Sequence, residues 1–214
     1  MTGLYALTPD FADTAALTAA VEAALKGGAS AIQYRNKTAT PDLRRTQARA
    51  LARIVAARGG LFIVNDDPAL AAEVDADGVH IGSEDGAIDA ARQTVGLDRI
   101  VGVSCYDDCA RAGAAAAAGA DYLAFGSFFA STVKPDARRA ELSLLQAARG
   151  LGLPLVAIGG ITAANARVLH QAGADAVAVI SAVFDARDPD AIEAAARSIA
   201  AIFPRRSSSR VEHA

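Results

Sequence analysis

LVAIGGITAANARVLHQAGADAVAVIS, Leu155 to Ser181, contains two short β-type runs with a helical segment between them. LVAIGG (Leu155 to Gly160) stops on two glycines, and a helical segment follows over Ala163 to Ala172. The turn Gly173-Ala174-Asp175 closes that segment, and AVAVIS (Ala176 to Ser181) opens at once. Glycine directly after a helical segment is a C-cap signal. Strand, helix and strand in close succession predict a βαβ unit with parallel strands. Working outward toward the N-terminus, the same rhythm recurs in LYALTP (Leu4 to Pro9), AIQYRNK (Ala31 to Lys37), LFIVNDD (Leu61 to Asp67), GVHIG (Gly78 to Gly82), IVGVS (Ile100 to Ser104) and YLAFGS (Tyr122 to Ser127). Eight such units are what a closed (β/α)8 TIM barrel of the α/β class requires. In that barrel the chemistry lies at the C-terminal ends of the strands, where the polar clusters of this sequence fall.

The intervening segments support the count. Thr40 before Pro41 reads as an N-cap with proline at the first helical position, and that helix runs toward Arg58 and stops at Gly59-Gly60. Asp13 or Thr14 opens the first helix, which ends near Lys26. Further helices are expected near Ile88 to Val95, Asp107 to Ala118, Leu142 to Arg149 and Pro189 to Ile202. The turn Gly-Ala-(Asp/Ser) recurs at Gly28-Ala29-Ser30, Gly119-Ala120-Asp121 and Gly173-Ala174-Asp175, a weak internal repeat. No long linker interrupts the rhythm, so residues 1–203 are read as one catalytic domain. The polar segment 204–214, beginning Pro-Arg-Arg-Ser-Ser-Ser-Arg, is expected to be a disordered tail.

Composition narrows the function classes. The 214 residues are 52% hydrophobic and 21% charged with a net charge of -3, which gives no basic footprint for nucleic acid. No apolar stretch approaches a membrane span and no signal-peptide pattern opens the chain, so a cytoplasmic protein is expected. Cys105 and Cys109 are too few for a disulfide framework or a zinc site, and they read as small buried or loop residues.

The endings of the last two runs predict an anion site. Gly159-Gly160-Ile161-Thr162 lets backbone amides approach a ligand without a side-chain clash, and Ile180-Ser181-Ala182 feeds a short helical turn. Loops after strands seven and eight carry the recurring phosphate site of these barrels. Gln33-Tyr34-Arg35-Asn36-Lys37 ends the second run, and strand alternation directs Gln33, Arg35 and Lys37 to one side. Two cations and an amide gathered there are costly unless they meet an anion; a salt-bridged rim is the competing account. Lys134, on the loop after the sixth run, adds a third cation, and the three together suit a polyanion such as pyrophosphate.

Asn65-Asp66-Asp67 ends the third run, and Ser83-Glu84-Asp85 follows the fourth by one turn. Carboxylates from adjacent strands, with phosphate oxygens completing the shell, suit Mg2+. Asp66 and Asp85 are the expected metal ligands, while Asp67 ahead of Pro68 reads as a helix N-cap. For His80, three readings stand: packed core, stacking platform or base. No Ser/His/Asp or Cys/His set emerges from spacing, so nucleophilic catalysis is not indicated.

Taken in order, QYRNK, NDD, ADGVHIGSED, GVS, GSFFASTVK, AIGGI and VISAV resemble the thiamine phosphate synthase family, also called thiamine-phosphate pyrophosphorylase, from Leu4 to about Ile202. The resemblance implies an Mg2+-dependent transferase that joins hydroxymethylpyrimidine pyrophosphate to thiazole phosphate, releasing pyrophosphate and giving thiamine phosphate. By the same resemblance Gln33, Arg35, Lys37, Asn65, Ser104 and Lys134 hold the pyrophosphate, with Arg35, Lys37, Lys134 and Ser104 as the catalytic set. Asp66 and Asp85 bind Mg2+. The thiazole phosphate lies on Gly160, Ile180 and Ser181 with a hydroxyl from Ser131, and His80 and Tyr5 lie near the pyrimidine. The family commonly has glutamine at Ser83 and threonine at Val133; Thr132 beside it can supply the missing hydroxyl. The partners implied are small phosphorylated substrates rather than nucleic acid or membrane, with a homo-oligomer left open. The alternatives are a thiazole tautomerase-like isomerase of the same fold, a phosphosugar aldolase or isomerase using Lys134 or Lys37 as a Schiff base, and a non-enzymatic phosphate-binding protein.

Overall fold

The computed structural model describes residues 1–82, 88–130 and 138–203. Within them the strands are β1 (Gly3–Leu7), β2 (Ala29–Tyr34), β3 (Leu61–Asn65), β4 (Gly78–Ile81), β5 (Ile100–Tyr106), β6 (Tyr122–Phe125), β7 (Leu155–Ile158) and β8 (Ala176–Val179). All pair in parallel with their sequence neighbours, and β8 returns to β1 to close the barrel. The outer layer is α1 (Thr14–Lys26), α2 (Pro41–Ala57), α3 (Pro68–Glu73), α4 (Ile88–Val95), α5 (Cys109–Ala117), α6 (Ser143–Ala148), α7 (Ala166–Ala172), α8 (Ser181–Phe184) and α9 (Pro189–Ala200). The expected (β/α)8 TIM barrel is therefore observed. Among the described residues no helix is long and apolar enough to cross a membrane.

Helix starts follow local chemistry. The Asp13 carboxylate caps α1 and accepts from Ala15 N at 2.7 Å, which settles the choice between Asp13 and Thr14. Thr40, Asp67 and Asp188 each cap a helix whose next residue is proline, an arrangement that supplies an acceptor for orphan amides and a preset φ. Helix α3 was legible beforehand only through that Asp67–Pro68 pair.

Two apolar clusters share the work of folding. The larger lies between strands and helices and includes Leu4, Ile32, Leu51, Val79, Leu123 and Val177. The smaller fills the inside of the barrel with Tyr5, Leu7, Ala31, Ile63, Tyr122, Ala124, Val156, Ala176 and Ala178. None of its fully buried members comes from β4 or β5, which present His80, Gly102 and Ser104 there instead. That gap in the apolar lining is where polar chemistry enters the barrel.

The N-terminal end is stitched in pairs. Asp77, just ahead of β4, accepts from Phe62 N of β3 at 2.7 Å. Asp121 accepts from Val101 N of β5 at 2.7 Å, and Asp175 accepts from Leu155 N of β7 at 2.9 Å. Ser30 of β2 donates to Leu4 O of β1 at 3.1 Å. Each even strand thus ties the foot of the odd strand before it, which gives the recurring Gly-Ala-(Asp/Ser) turn a structural purpose.

Strand β5 is longer than the IVGVS run. It continues to Tyr106, with a register irregularity between Ser104 and Tyr106, so Cys105 lies inside the strand rather than after it. Cys105 is fully buried, and burial pushes its thiol up to about 12, while Cys109 is exposed at the start of α5.

Candidate active site

Register gathers the polar side chains of neighbouring strands into one row. Asn65 of β3 stands opposite His80 of β4, His80 opposite Gly102 of β5, and Gly102 opposite Tyr122 of β6. A Cβ on Gly102 would lie 2.0 Å from Tyr122 Cζ, so the missing side chain is the space that the tyrosine ring occupies. The ring reaches across to His80, with centroids 5.5 Å apart and planes 22° apart.

A string of hydrogen bonds results. Gln33 Nε2 donates to the Tyr5 hydroxyl at 2.6 Å, and the Tyr5 and Tyr122 hydroxyls meet at 3.0 Å. The Tyr122 hydroxyl lies 2.8 Å from His80 Nδ1, and His80 Nε2 lies 2.9 Å from Ser104 Oγ. Gln33, Tyr5, Tyr122 and His80 are buried, whereas Ser104 is half-buried at the mouth. Burial, ahead of any neighbour, raises both phenols well above the usual tyrosine value. The expected residues Gln33, Tyr5, His80 and Ser104 are thus brought together, and His80 is neither a bare core residue nor isolated.

The rest of QYRNK lies beyond the strand. Alternation carries only as far as Tyr34, whose hydroxyl points outward to Gln47 Oε1 at 2.9 Å on α2. Past it, the backbone is held by buried Thr8, whose Oγ1 accepts from Arg35 N at 2.9 Å and donates to Arg35 O at 3.0 Å. Asn36 staples the loop by donating to Phe11 O and Gln47 Oε1 at 2.7 and 3.0 Å. Arg35 is partly exposed and 3.7 Å from Asp10 Oδ1, and the same carboxylate accepts from Lys37 N at 3.0 Å. The salt-bridged rim is present as one long Arg35–Asp10 pair, and the exposed Lys37 lies on the loop after β2, beyond the reach of strand alternation.

The acidic side divides its labour. Asp67 accepts from Leu70 N at 2.9 Å and pairs with Arg44 at 3.0 Å, so it is structural, as its place before Pro68 implies. Asp66 is exposed with φ 59, its amide donates to His80 O at 2.8 Å, and Asn65 Nδ2 donates to its Oδ2 at 2.5 Å. A left-handed φ is uncommon outside glycine, and aspartate is among the residues that adopt it. The carboxylate is a hard oxygen donor of the kind Mg2+ takes; among the described residues no group of three or more acidic, His or Cys side chains gathers.

The expected phosphate end draws on the loops after β6, β7 and β8. Gly159 (φ 102) and Gly160 (φ 61) press against the segment after β6, where added Cβ atoms would meet Ser127 Oγ at 2.0 Å and Ala130 O at 2.1 Å. These glycines therefore serve close packing of loop on loop as well as any ligand. Ile180 precedes α8 and its carbonyl accepts from Val183 N and Phe184 N, so the amides that the helix start leaves without an intrahelical acceptor are those of Ser181 and Ala182. Ser83, Asp85, Ser131, Thr132, Val133 and Lys134 lie outside the described residues.

A family model described as thiamine monophosphate synthase matches residues 4–183. This chain belongs to that family. A thiamine-phosphate synthase of Methylobacillus flagellatus is 53% identical over 94% of this chain and 95% of its own. One from Alcanivorax borkumensis is 54% identical, covering 94% of each. A solved thiamine phosphate pyrophosphorylase of Pyrococcus furiosus superposes with a TM-score of 0.82 at 35% identity, over 94% of this chain and 95% of that one. The chain is accordingly an enzyme of the transferase class.

Against the family motifs, sequence reading missed three residues that build the site. Thr8 holds Arg35 and reads only as the end of a strand. Tyr122 reads as the start of an apolar run, and Gly102 as a strand glycine. The signal for the last two was their register: a glycine on one strand beside an aromatic on the next marks a ring lying across the gap.

Proposed function

We propose that this chain couples hydroxymethylpyrimidine pyrophosphate to thiazole phosphate in an Mg2+-dependent reaction, giving thiamine phosphate and pyrophosphate. The observation that carries the reading is the row of polar side chains Gln33, Asn65, His80 and Ser104 on four neighbouring strands, with His80 bonded to Ser104 and joined to Gln33 through Tyr122 and Tyr5, in a barrel belonging to this family. Asp66 and Asp85 would hold Mg2+, which supplies positive charge to the pyrophosphate oxygens. Arg35, Lys37 and Lys134 add positive charge to the same group, and preorganised charge at the departing anion is the largest lever such a site has. The methylene C–O bond breaks and its electron pair leaves with pyrophosphate. The electron-rich aminopyrimidine supports the cationic carbon, and the thiazole nitrogen's lone pair forms the new C–N bond. No protein nucleophile is used, in keeping with the buried, protonated Cys105. Gly160, Ile180 and Ser181 hold the thiazole phosphate on the opposite side of the mouth.

Incubation of the purified protein with both substrates and Mg2+ tests this. Thiamine phosphate and pyrophosphate should appear in equal amounts. Turnover of a thiazole phosphate tautomer in their place, or borohydride trapping of a phosphosugar on a lysine, would overturn the reading.

A further inference from the structure

The hydrogen-bond string inside the barrel has a direction, set at its Gln33 end. An amide nitrogen donates and cannot accept, so the Tyr5 oxygen is an acceptor from Gln33 Nε2. Among the described residues the Tyr5 hydroxyl meets only Gln33 and Tyr122. A buried polar proton needs an acceptor, so Tyr5 donates to Tyr122. The Tyr122 hydroxyl in turn meets only Tyr5 and His80 Nδ1 among the described residues, and its proton goes to Nδ1. A neutral imidazole that accepts at one nitrogen carries its proton on the other, here Nε2, which then donates to Ser104 Oγ. Among the described residues nothing else takes the Ser104 proton, which is left for a group in the mouth. Burial keeps both phenols protonated, so neutral hydroxyls transmit the polarity without any charge in the barrel.

We propose that Tyr122 is a positioning residue: it locks His80 in the Nε2–H tautomer and so makes Ser104 a hydrogen-bond donor to the anion held at the mouth. This deepens the function proposed above and rests on it for the anion being pyrophosphate. The reversed string would have the opposite effect at one atom. Ser104 would spend its proton on His80 Nε2, and only its lone pairs would face the anion. Tyr122 therefore decides whether that hydroxyl attracts or repels the group that departs. Gly102 supports the same assignment, because its missing Cβ is what lets the Tyr122 ring lie within reach of His80.

Two measurements test the proposal, the first of them independent of activity. The full-length protein with nitrogen-labelled histidine, which has three histidines to assign, is read by NMR at about pH 8, above the ordinary imidazole pKa. His80 should carry its proton on Nε2, with Nδ1 as a hydrogen-bonded acceptor; a proton on Nδ1 overturns the proposal whatever the substrate is. The second measurement is a double-mutant cycle in turnover. Tyr122→Phe keeps the ring and removes the hydroxyl, and it should lower kcat/KM for the pyrimidine pyrophosphate about 10-fold, the scale of a hydrogen bond to a charged group. KM for thiazole phosphate should not move. Ser104→Ala should then cost clearly less in the Tyr122→Phe protein than in the wild type, since both changes remove the same donor. Fully additive losses would reduce Tyr122 to packing and overturn the proposal. If Tyr122→Phe fails to fold, the tautomer of His80 in the wild-type protein, which needs no variant, decides the proposal. Absence of thiamine phosphate from the wild-type reaction would count against the substrate assignment, while the tautomer would still decide the wiring.

Discussion

Gly102→Ala adds one methyl group where the barrel has no room for it. The new Cβ would lie 2.0 Å from Cζ, 2.2 Å from Cε1 and 2.4 Å from the hydroxyl of Tyr122, against the ~3.5–4.0 Å at which carbon atoms pack. The obstacle is an aromatic ring with no exposed surface, wedged edge-on to Tyr5 at a centroid distance of 6.0 Å and over His80. It has no flexible end to yield. Gly102 φ lies outside the left-handed region, so alanine strains nothing in the backbone and the whole cost is steric. Overpacking of this kind destabilises by about 1–3 kcal/mol, or a Tm fall of roughly 2–4 °C per kcal/mol in a chain of this size. Activity should fall further than stability does, because displacing the ring breaks the Tyr5–Tyr122–His80 contacts at the same stroke. Urea unfolding together with steady-state kinetics measures both. A variant with wild-type stability and unchanged kcat/KM would refute the claim that this glycine exists to seat the ring.

Neighbouring aspartates should separate cleanly: Asp66→Asn keeps a residue tolerant of the left-handed backbone and should shift the Mg2+ dependence of turnover at least ~10-fold upward with little change in Tm. Asp67→Ala should instead cost about 1 kcal/mol of stability through the lost α3 cap, and full activity after exhaustive chelation would defeat the metal assignment. Arg35→Ala should lower kcat by about 100-fold or more, the scale of removing one preorganised donor, with thiazole phosphate binding by calorimetry unchanged; its backbone stays pinned by Thr8, and loss of that binding would contradict the division of the mouth. Alkaline pH should destabilise the fold. Burial raises Cys105 and Tyr34 to about 12 and Tyr5 and Tyr122 further, so the folded chain retains protons that the unfolded chain releases. Stability is complete below the ordinary thiol value of 9.0 and should decline as pH rises through 10.0, the ordinary phenol value; denaturant midpoints rising over that window would contradict it.

The barrel was legible because its punctuation is local. Thr40-Pro41, Asp13 and the Gly-Ala-Asp turns state their structure within a few residues, and the strand endings between them lined up as the register later required. Asp67 could be separated from Asp66 by the proline alone. QYRNK was legible as a group but not as a geometry, because β2 ends at Tyr34 when Thr8 of another loop takes over the hydrogen bonds of Arg35. The Tyr5–Tyr122 contact was out of reach, since its partners are 117 residues apart and each tyrosine alone looks like ordinary core. Spacing reports what a chain does along itself; what crosses the inside of a barrel depends on closure.

The side-chain stitches at the foot of the strands pair β1 with β2, β3 with β4, β5 with β6, and β7 with β8, while the Asp77 and Asp175 carbonyls accept from Ile100 N and Gly3 N of the next odd strand at 2.9 Å. A chain reopened ahead of an odd strand leaves each stitching residue inside the chain, whereas a cut ahead of an even strand sets Asp77, Asp121 or Asp175 beside a new terminus, where chains fray. Circular permutants that begin at an odd-numbered strand should therefore tolerate their new termini better than those that begin at an even-numbered one. A floor tied on its own in this way lets the loops at the opposite end of the barrel vary without loosening it.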